Sequence, residues 1–347
     1  MRSHKIDRLN MLLQSKGLDS CLLEDPMDLF YLSGLSMSAG SLLLTPQTAT
    51  LFVDSRYIEM AKQQSAMEVL LLDKLKRTLI DRKVTCLAFD SAKTTVEKLQ
   101  HKKQEYRDIE WVAFPHMLKT LRVIKDATEQ DQMRESANLS KKAFQHAIEW
   151  LEEGVTELDI AWRYETYCRE RGAAAMAFDP TVAFGSNSAF PHHRASKKKL
   201  GKEDVILIDV GCKLNAYASD MTRTLLGPHV HADIKKLDEI VKRAHRAALK
   251  HCKPGAKIKE IDIAAREEMR TAGMESLFIH SLGHGIGLET HEYPLINANR
   301  QDADVVLEEG MVLTIEPGLY LPGHGGVRHE DTVIITSHGV DNLYGDL

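Results

Sequence analysis

The sequence predicts an α+β protein of two domains, a small α/β domain over residues 1–122 and a larger domain over 123–347 in which helices flank an antiparallel sheet. Three observations lead there. Up to about position 120, short apolar runs bounded by turn residues alternate with helical periodicity. Beyond it, long helical patterns are interleaved with strand segments. Within this larger region the same strand–turn–strand pattern occurs twice, at 207–222 and at 314–332.

The elements follow in order. Ile6, Leu9, Leu12 and Leu13 recur at helical spacing, and Gly17 stops that helix. Cys21–Leu23, Ser41–Leu44 and Thr50–Val53 read as buried strands, and Asp54–Gln64 as a helix. Residues 84–89 and 110–114 read as two further strands. A long helix is expected over 126–152, ending at Gly154. Thr156 opens the next, with Asp159 three residues on as a weak capping box, and this helix runs to Arg171–Gly172. Strands follow near 180–184, 205–211 and 217–224, helices at 232–252 and 258–272, and strands at 310–316 and 328–336. Ser196–Lys199 reads as a solvated basic loop.

Composition sets bounds. A chain of 347 residues suits two domains. With 45 Lys and Arg against 50 Asp and Glu, no nucleic-acid partner held by a broadly basic surface is expected. No apolar run approaches 18 residues, and MRSHKIDRLN lacks the apolar stretch of a secretory leader, so neither membrane insertion nor export is expected. Cys21, Cys86, Cys168, Cys212 and Cys252 are odd in number and contain no C-x-x-C pair, which points to a reducing cytoplasm. Of 16 histidines, 12 lie at or beyond position 192, where even spacing would place about seven, so chemistry is to be sought in the second half.

The repeated pattern is acidic. Leu207-Ile-Asp-Val-Gly211 returns through Tyr217 to Asp220-Met-Thr222, and Thr314-Ile-Glu-Pro-Gly318 returns through Tyr320 to Glu330-Asp-Thr332. Each reads as a hairpin with one carboxylate on each arm. Asp209 and Glu316 are expected in mid-strand, where an unpaired buried carboxylate is costly. Two such hairpins about a pseudo-dyad would gather four carboxylates, and gathered like charges need a cation. His284, between glycines in SLGHGIGLETHE, offers a fifth ligand. Two divalent ions would balance the four negative charges. The oxygen-rich set with one imidazole suits manganese, with cobalt or zinc as alternatives, rather than a thiolate zinc site or a calcium loop. H-E-x-x-H, G-x-S-x-G and P-loop motifs are absent.

IDVG…YASDMTRT (208–224), GHGIGLETHE (283–292), TIEPGLY (314–320) and GVRHEDTVI (326–334), together with FPHH (190–193), resemble the pita-bread metallopeptidase family, peptidase family M24, in its Xaa-Pro branch of aminopeptidase P and prolidase. DPMDLFYLSGL (25–35) and LFVDSRYIEMA (51–61) resemble that branch's small creatinase-like N-terminal domain, so the likeness spans almost the whole chain. It implies a catalytic pita-bread domain over 123–347 and two divalent ions per chain held by Asp209, Asp220, His284, Glu316 and Glu330. Glu316 would also shuttle the proton of the attacking water. His192 and His291 match histidines that orient substrate and stabilise the tetrahedral intermediate. His280 matches a residue of the proline pocket, Arg328 the arginine of the Xaa-Pro branch, and Tyr217 and Thr222 supports of the ligands. His193 is a rival to His192. Strand alternation turns His329 away from the face shared by Arg328 and Glu330. Ala216 stands where the family often has glycine.

The implied reaction is hydrolysis of the bond between an N-terminal residue and proline in a proline-containing peptide, by a chain that is a homodimer in this family. GHGIGL resembles bacterial aminopeptidase P-like proteins, so the aminopeptidase form is the expectation and the dipeptidase form, prolidase, the alternative. A methionine aminopeptidase would share the ligands but lack the N-terminal domain. A non-enzymatic binding module on this fold usually loses ligands, and here all five positions are filled.

Overall fold

Apolar strands are buried at two separate places in the chain. The computed structural model describes residues 4–345 and 347, and it divides into one unit up to Arg122 and one from Val123 onward. The first unit holds a six-stranded mixed sheet in the order Glu68–Leu71, Ala49–Val53, Gly40–Leu44, Cys21–Leu23, Cys86–Phe89, Glu110–Ala113. Leu22, Leu43, Phe52 and Leu87 pack with Leu75 and Leu79 from a neighbouring helix.

Several elements here were not expected: helices Pro26–Ser33, Leu75–Asp81 and Val96–Glu105, and strand Glu68–Leu71. The first has every end signal. Asp25 accepts the amides of Met27 and Asp28 at 3.1 Å each, Pro26 opens the first turn, and Gly34 closes the helix at φ 75°. Two turns of PMDLFYLS are too short to display a period. The helix expected from Asp54 begins instead at Ile58, because the Tyr57 amide first closes a turn on the Asp54 carbonyl at 3.1 Å.

The second unit is built around two half-sheets, with a small three-stranded sheet (Tyr217–Ala218, Cys212–Leu214, Ala175–Met176) and a two-stranded one (Gly318–Leu321, Gly325–Arg328) beside them. Thr181–Phe184, Val205–Val210 and Met221–Leu226 form the first, covered by helices Ala127–Ile148 and Glu157–Glu170 through Ala143, Phe144, Ile160, Ile208 and Val210. The second has five strands in the order Glu292–Ile296, Gly283–Gly285, Val312–Ile315, Asp331–Thr336, Gly339–Asn342. Helices Ala232–His251 and Ile258–Thr271 cover it through Leu237, Ile240, Ile261, Leu313 and Val333. Both boxes at the first helix pair are complete, Asp126 with Glu129 and Thr156 with Asp159. No helix among the described residues is long and apolar enough to cross a membrane.

The half-sheets meet at an antiparallel bridge between Thr222 and Glu330. The two echoing hairpins face each other across it. The Glu330 amide donates to the Thr222 carbonyl at 3.1 Å, Thr222 Oγ1 to Glu330 Oε2 at 2.7 Å, and Thr332 Oγ1 to the Asp220 carbonyl at 2.8 Å. The acid-x-Thr pattern is therefore reciprocal: each threonine holds the acidic residue of the other hairpin.

Three carboxylates sit where strands stop rather than within them. The expected strand 217–224 breaks at Ser219–Asp220, 328–336 breaks at His329–Glu330, and Glu316 follows the Val312–Ile315 strand instead of lying inside it. Asp209 alone is mid-strand, opposite Thr222 and Thr181. A strand end lets a carboxylate leave the ladder and face a cavity, which a continuous ladder would not.

The turn joining Leu214 to Tyr217 has Asn215 at φ 51° and Ala216 at φ 71°, the left-handed pair of a tight hairpin turn that favours glycine second. Ala216→Gly should therefore raise stability by about 1 kcal/mol, read as a higher urea midpoint at unchanged slope.

Candidate metal centre

The polar residues singled out in the sequence line one cavity of about 440 Å³: Asp209, Asp220, His284, Glu316 and Glu330, with His192, His280, His291 and Arg328. The backbone positions them by close approach. A Cβ at Gly283 would lie 2.0 Å from the Thr314 carbonyl oxygen, so only glycine lets the His284 strand come this near the strand that leads to Glu316. The His284 amide then donates to Thr314 Oγ1 at 3.1 Å. His284 Nε2 lies 3.5 Å from Glu316 Oε1 and 3.7 Å from Asp220 Oδ2. Ligand atoms of Asp220, His284 and Glu330 all fall within 4.8 Å of one another.

Arg328 ties the other side. Its Nη2 donates to Asp209 Oδ2 at 2.5 Å, its Nε to Thr222 Oγ1 at 3.1 Å, and its Nη1 to the Tyr320 hydroxyl at 2.6 Å. His280 Nε2 also bonds that hydroxyl, at 2.9 Å. Tyr217 belongs to the surroundings, donating to Glu129 Oε1 at 2.8 Å.

The electrostatics are those of a site built around positive charge. Burial, then the charges of Glu330 and Asp209, push the Asp220 carboxyl well above the usual range. Burial and Glu330 do the same to Glu316. Glu330 is pushed up to about 8 by burial and Asp209, against the lowering effect of Thr222 and Arg328. His284 is pushed down to about 4, chiefly by burial, so it is a neutral imidazole at pH 7 with its Nε2 facing the acids and its Nδ1 on the Gly285 carbonyl at 3.0 Å. Four carboxylates face one guanidinium, and Asp209 Oδ1 is buried with no hydrogen-bond partner among the described residues. These donors fit divalent cations: oxygens and one neutral imidazole, drawn together at a cost that positive charge would offset.

His329 does not line the cavity; its ring packs on His245 at 4.8 Å, behind the sheet. His245, His329 and Asp331 lie at ligand spacing, but Arg223 already balances Asp331 at 2.7 Å and leaves little demand for a further cation. His193 does line the cavity, yet it is held by Glu157. That buried carboxylate accepts from His193 Nε2 at 2.8 Å, Ser196 N at 2.9 Å and Oγ at 2.6 Å, Phe184 N at 2.8 Å and Asn187 Nδ2 at 2.8 Å. His192 is exposed and His291, whose ring centre lies 4.3 Å from that of His284 at a tilt of 45°, borders the same space. The Ser196–Lys199 loop is only partly solvated, because Lys198 donates to the Phe184 carbonyl at 2.6 Å.

Sequence reading missed Glu157, Phe178, Asp179, Arg194 and Leu295. Glu157 looked like an ordinary first-turn acid, and the other four, which line the cavity, lie outside any motif. Arg194 had one visible signal, its place two residues after His192.

Two outcomes are expected. A divalent ion should raise the thermal midpoint of metal-free protein in proportion to its saturation, and Asp220→Asn should lose most of that rise. Glu157 is held below the usual carboxyl range: burial opposes this, but the hydrogen bonds from Ser196 and His193 outweigh it. Its stabilisation is complete above its ordinary value of 4.5 and fades as pH falls below it. Glu157→Gln should therefore lower the urea midpoint more at pH 7 than at pH 4.

The family model described as metallopeptidase family M24 matches residues 131–337, and that of the creatinase/prolidase N-terminal domain matches residues 5–124. The Xaa-Pro dipeptidase of Pyrococcus furiosus is 35% identical over 98% of this chain and 97% of its own. The solved Xaa-Pro dipeptidase from Bacillus anthracis superposes with a TM-score of 0.94 at 32% identity, covering 99% of this chain and 97% of that one. The X-Pro aminopeptidase from Thermotoga maritima superposes with a TM-score of 0.90 at 34% identity, covering 97% of each.

Proposed function

The chain belongs to metallopeptidase family M24, with a creatinase/prolidase N-terminal domain ahead of the peptidase domain, and we propose that it is a metal-dependent exopeptidase that hydrolyses the bond between an N-terminal residue and proline. The observation that carries this is the single cavity in which four carboxylates and a neutral imidazole converge with Asp209 Oδ1 lacking a partner. The relatives named Xaa-Pro dipeptidase favour the dipeptide-cleaving form over the aminopeptidase form, to which the GHGIGL segment had pointed.

In this reading Asp209, Asp220, His284, Glu316 and Glu330 hold two divalent ions, manganese best suiting the donor set. Such ions, when bound, lower the pKa of water and polarise the scissile carbonyl. The residues do the rest. Glu316 takes a proton from the attacking water as a carboxylate and delivers it to the prolyl nitrogen. That nitrogen carries no hydrogen in the peptide, so it cannot leave unprotonated. His291 is shifted below its ordinary value by burial and by His192, so it offers a neutral ring N–H to the oxyanion, with His192 beside it. His280, pushed down to about 4 by burial and Arg328, borders the prolyl side as a neutral ring held on the Tyr320 hydroxyl. Arg328 holds Asp209 in place. The five cysteines are free thiols, in keeping with a cytoplasmic protein, and a homodimer is part of the same reading.

Glu316→Gln should lower kcat on Xaa-Pro substrates by roughly 10²–10⁴-fold with the circular dichroism spectrum unchanged, and His284→Ala should do so with loss of bound metal. Full activity in either variant would overturn these assignments.

A further inference from the structure

We propose that Arg194 is the receptor for the free carboxylate of the prolyl residue, and so the residue that selects dipeptides over longer peptides. This rests on the Xaa-Pro reading above and names what closes the substrate at its other end.

The cavity is polarised. Its deep end carries the four carboxylates, suited to cations and to the substrate's amino end. A dipeptide also carries a negative charge one residue further along, and that charge needs a partner if it is to leave water. The cations available in the walls can be sorted. Arg328 is 3% exposed and committed to Asp209, Thr222 and Tyr320. His193 is committed to Glu157. His280 is committed to the Tyr320 hydroxyl and the Ser281 carbonyl, and His192 and His291 are taken by the oxyanion side in the reading above. Arg194 remains: it lines the cavity, its side chain is exposed, and it makes no hydrogen bond or ion pair to any described residue. Asp179, which also lines the cavity, forms no ion pair with it.

The backbone beneath this free side chain is pinned. His193 Nε2, Ser196 N and Ser196 Oγ all bond Glu157 Oε2, which is fully buried, so residues on both sides of Arg194 are anchored to one atom. The arginine is thus an unsatisfied planar fork on a fixed base, the arrangement that grips a carboxylate through two parallel N–H bonds. A longer peptide presents an amide at this point, which offers neither the charge nor the second oxygen.

The test compares Ala-Pro with Ala-Pro-amide on metal-loaded wild type and Arg194→Gln, with calorimetric binding of L-proline and L-prolinamide to both proteins. The ratio of kcat/KM for the acid to that for the amide should fall roughly ten- to a hundredfold in the variant. The loss should lie in KM rather than kcat, L-proline binding should weaken to match, and Arg194→Lys should restore some of it. A ratio that stays within threefold, or L-proline binding that is unchanged, overturns the role of Arg194 while leaving the Xaa-Pro reading intact. If wild type cleaves neither substrate, the Xaa-Pro reading fails and this assignment falls with it.

Discussion

The catalytic unit depends on a seam one residue pair wide. Thr222 and Glu330 are the only bridge partners between its two half-sheets among the described residues, and Glu330 is itself one of the four carboxylates of the cavity. Joining the halves and assembling the site are therefore one event. The seam is reinforced from behind by Arg223, whose Nη1 donates to the carbonyls of Thr222 at 2.9 Å and Glu330 at 2.7 Å, while Nη2 pairs with Asp331. These bonds fasten both arms of the seam, and Asp331 beside it, to one buried guanidinium. Two arginines thus bracket Glu330, Arg328 toward the cavity and Arg223 away from it.

The sequence exposed the features of this design that are periodic or repeated. The acid-x-Gly and acid-x-Thr pairs identified both hairpins, and the structure adds why threonine recurs: Thr222 and Thr332 each reach across to the other hairpin's acid. Alternation placed His329 behind the sheet correctly, where it meets His245. What stayed hidden has physical reasons. Short helices such as Pro26–Ser33 show no period, and strand interruptions at Asp220, Glu316 and Glu330 come from tertiary demand on the carboxylates rather than from local propensity. Glu157 and Arg194 could not be ranked from sequence, because one is buried by the loop that folds over it and the other is carried on that loop to the cavity, neither of which a spacing shows.

The histidines divide by the company they keep. His284 and His280 are neutral because burial disfavours their charge, His193 is fastened to a carboxylate, and His192 and His291 remain at the edge of the cavity. The excess of histidine in the second half of the chain is therefore not one feature. A single imidazole faces the acids as a ligand candidate, His192, His193, His280 and His291 border the cavity, His245 and His329 lie behind it, and the other five do not line it.

Arg223 also makes the site sensitive to the order in which the chain is made. Its Nη2 donates to the Tyr344 carbonyl at 3.0 Å, 121 residues further along. At synthesis rates of about 5–20 residues per second, roughly 6–24 s separate the two. During that interval the chain carries an arginine whose partners Glu330, Asp331 and Tyr344 do not yet exist. Of the groups bonded by this guanidinium only the Thr222 carbonyl is made early, so its bonds to Glu330, Asp331 and Tyr344 can form only once the end of the chain has emerged.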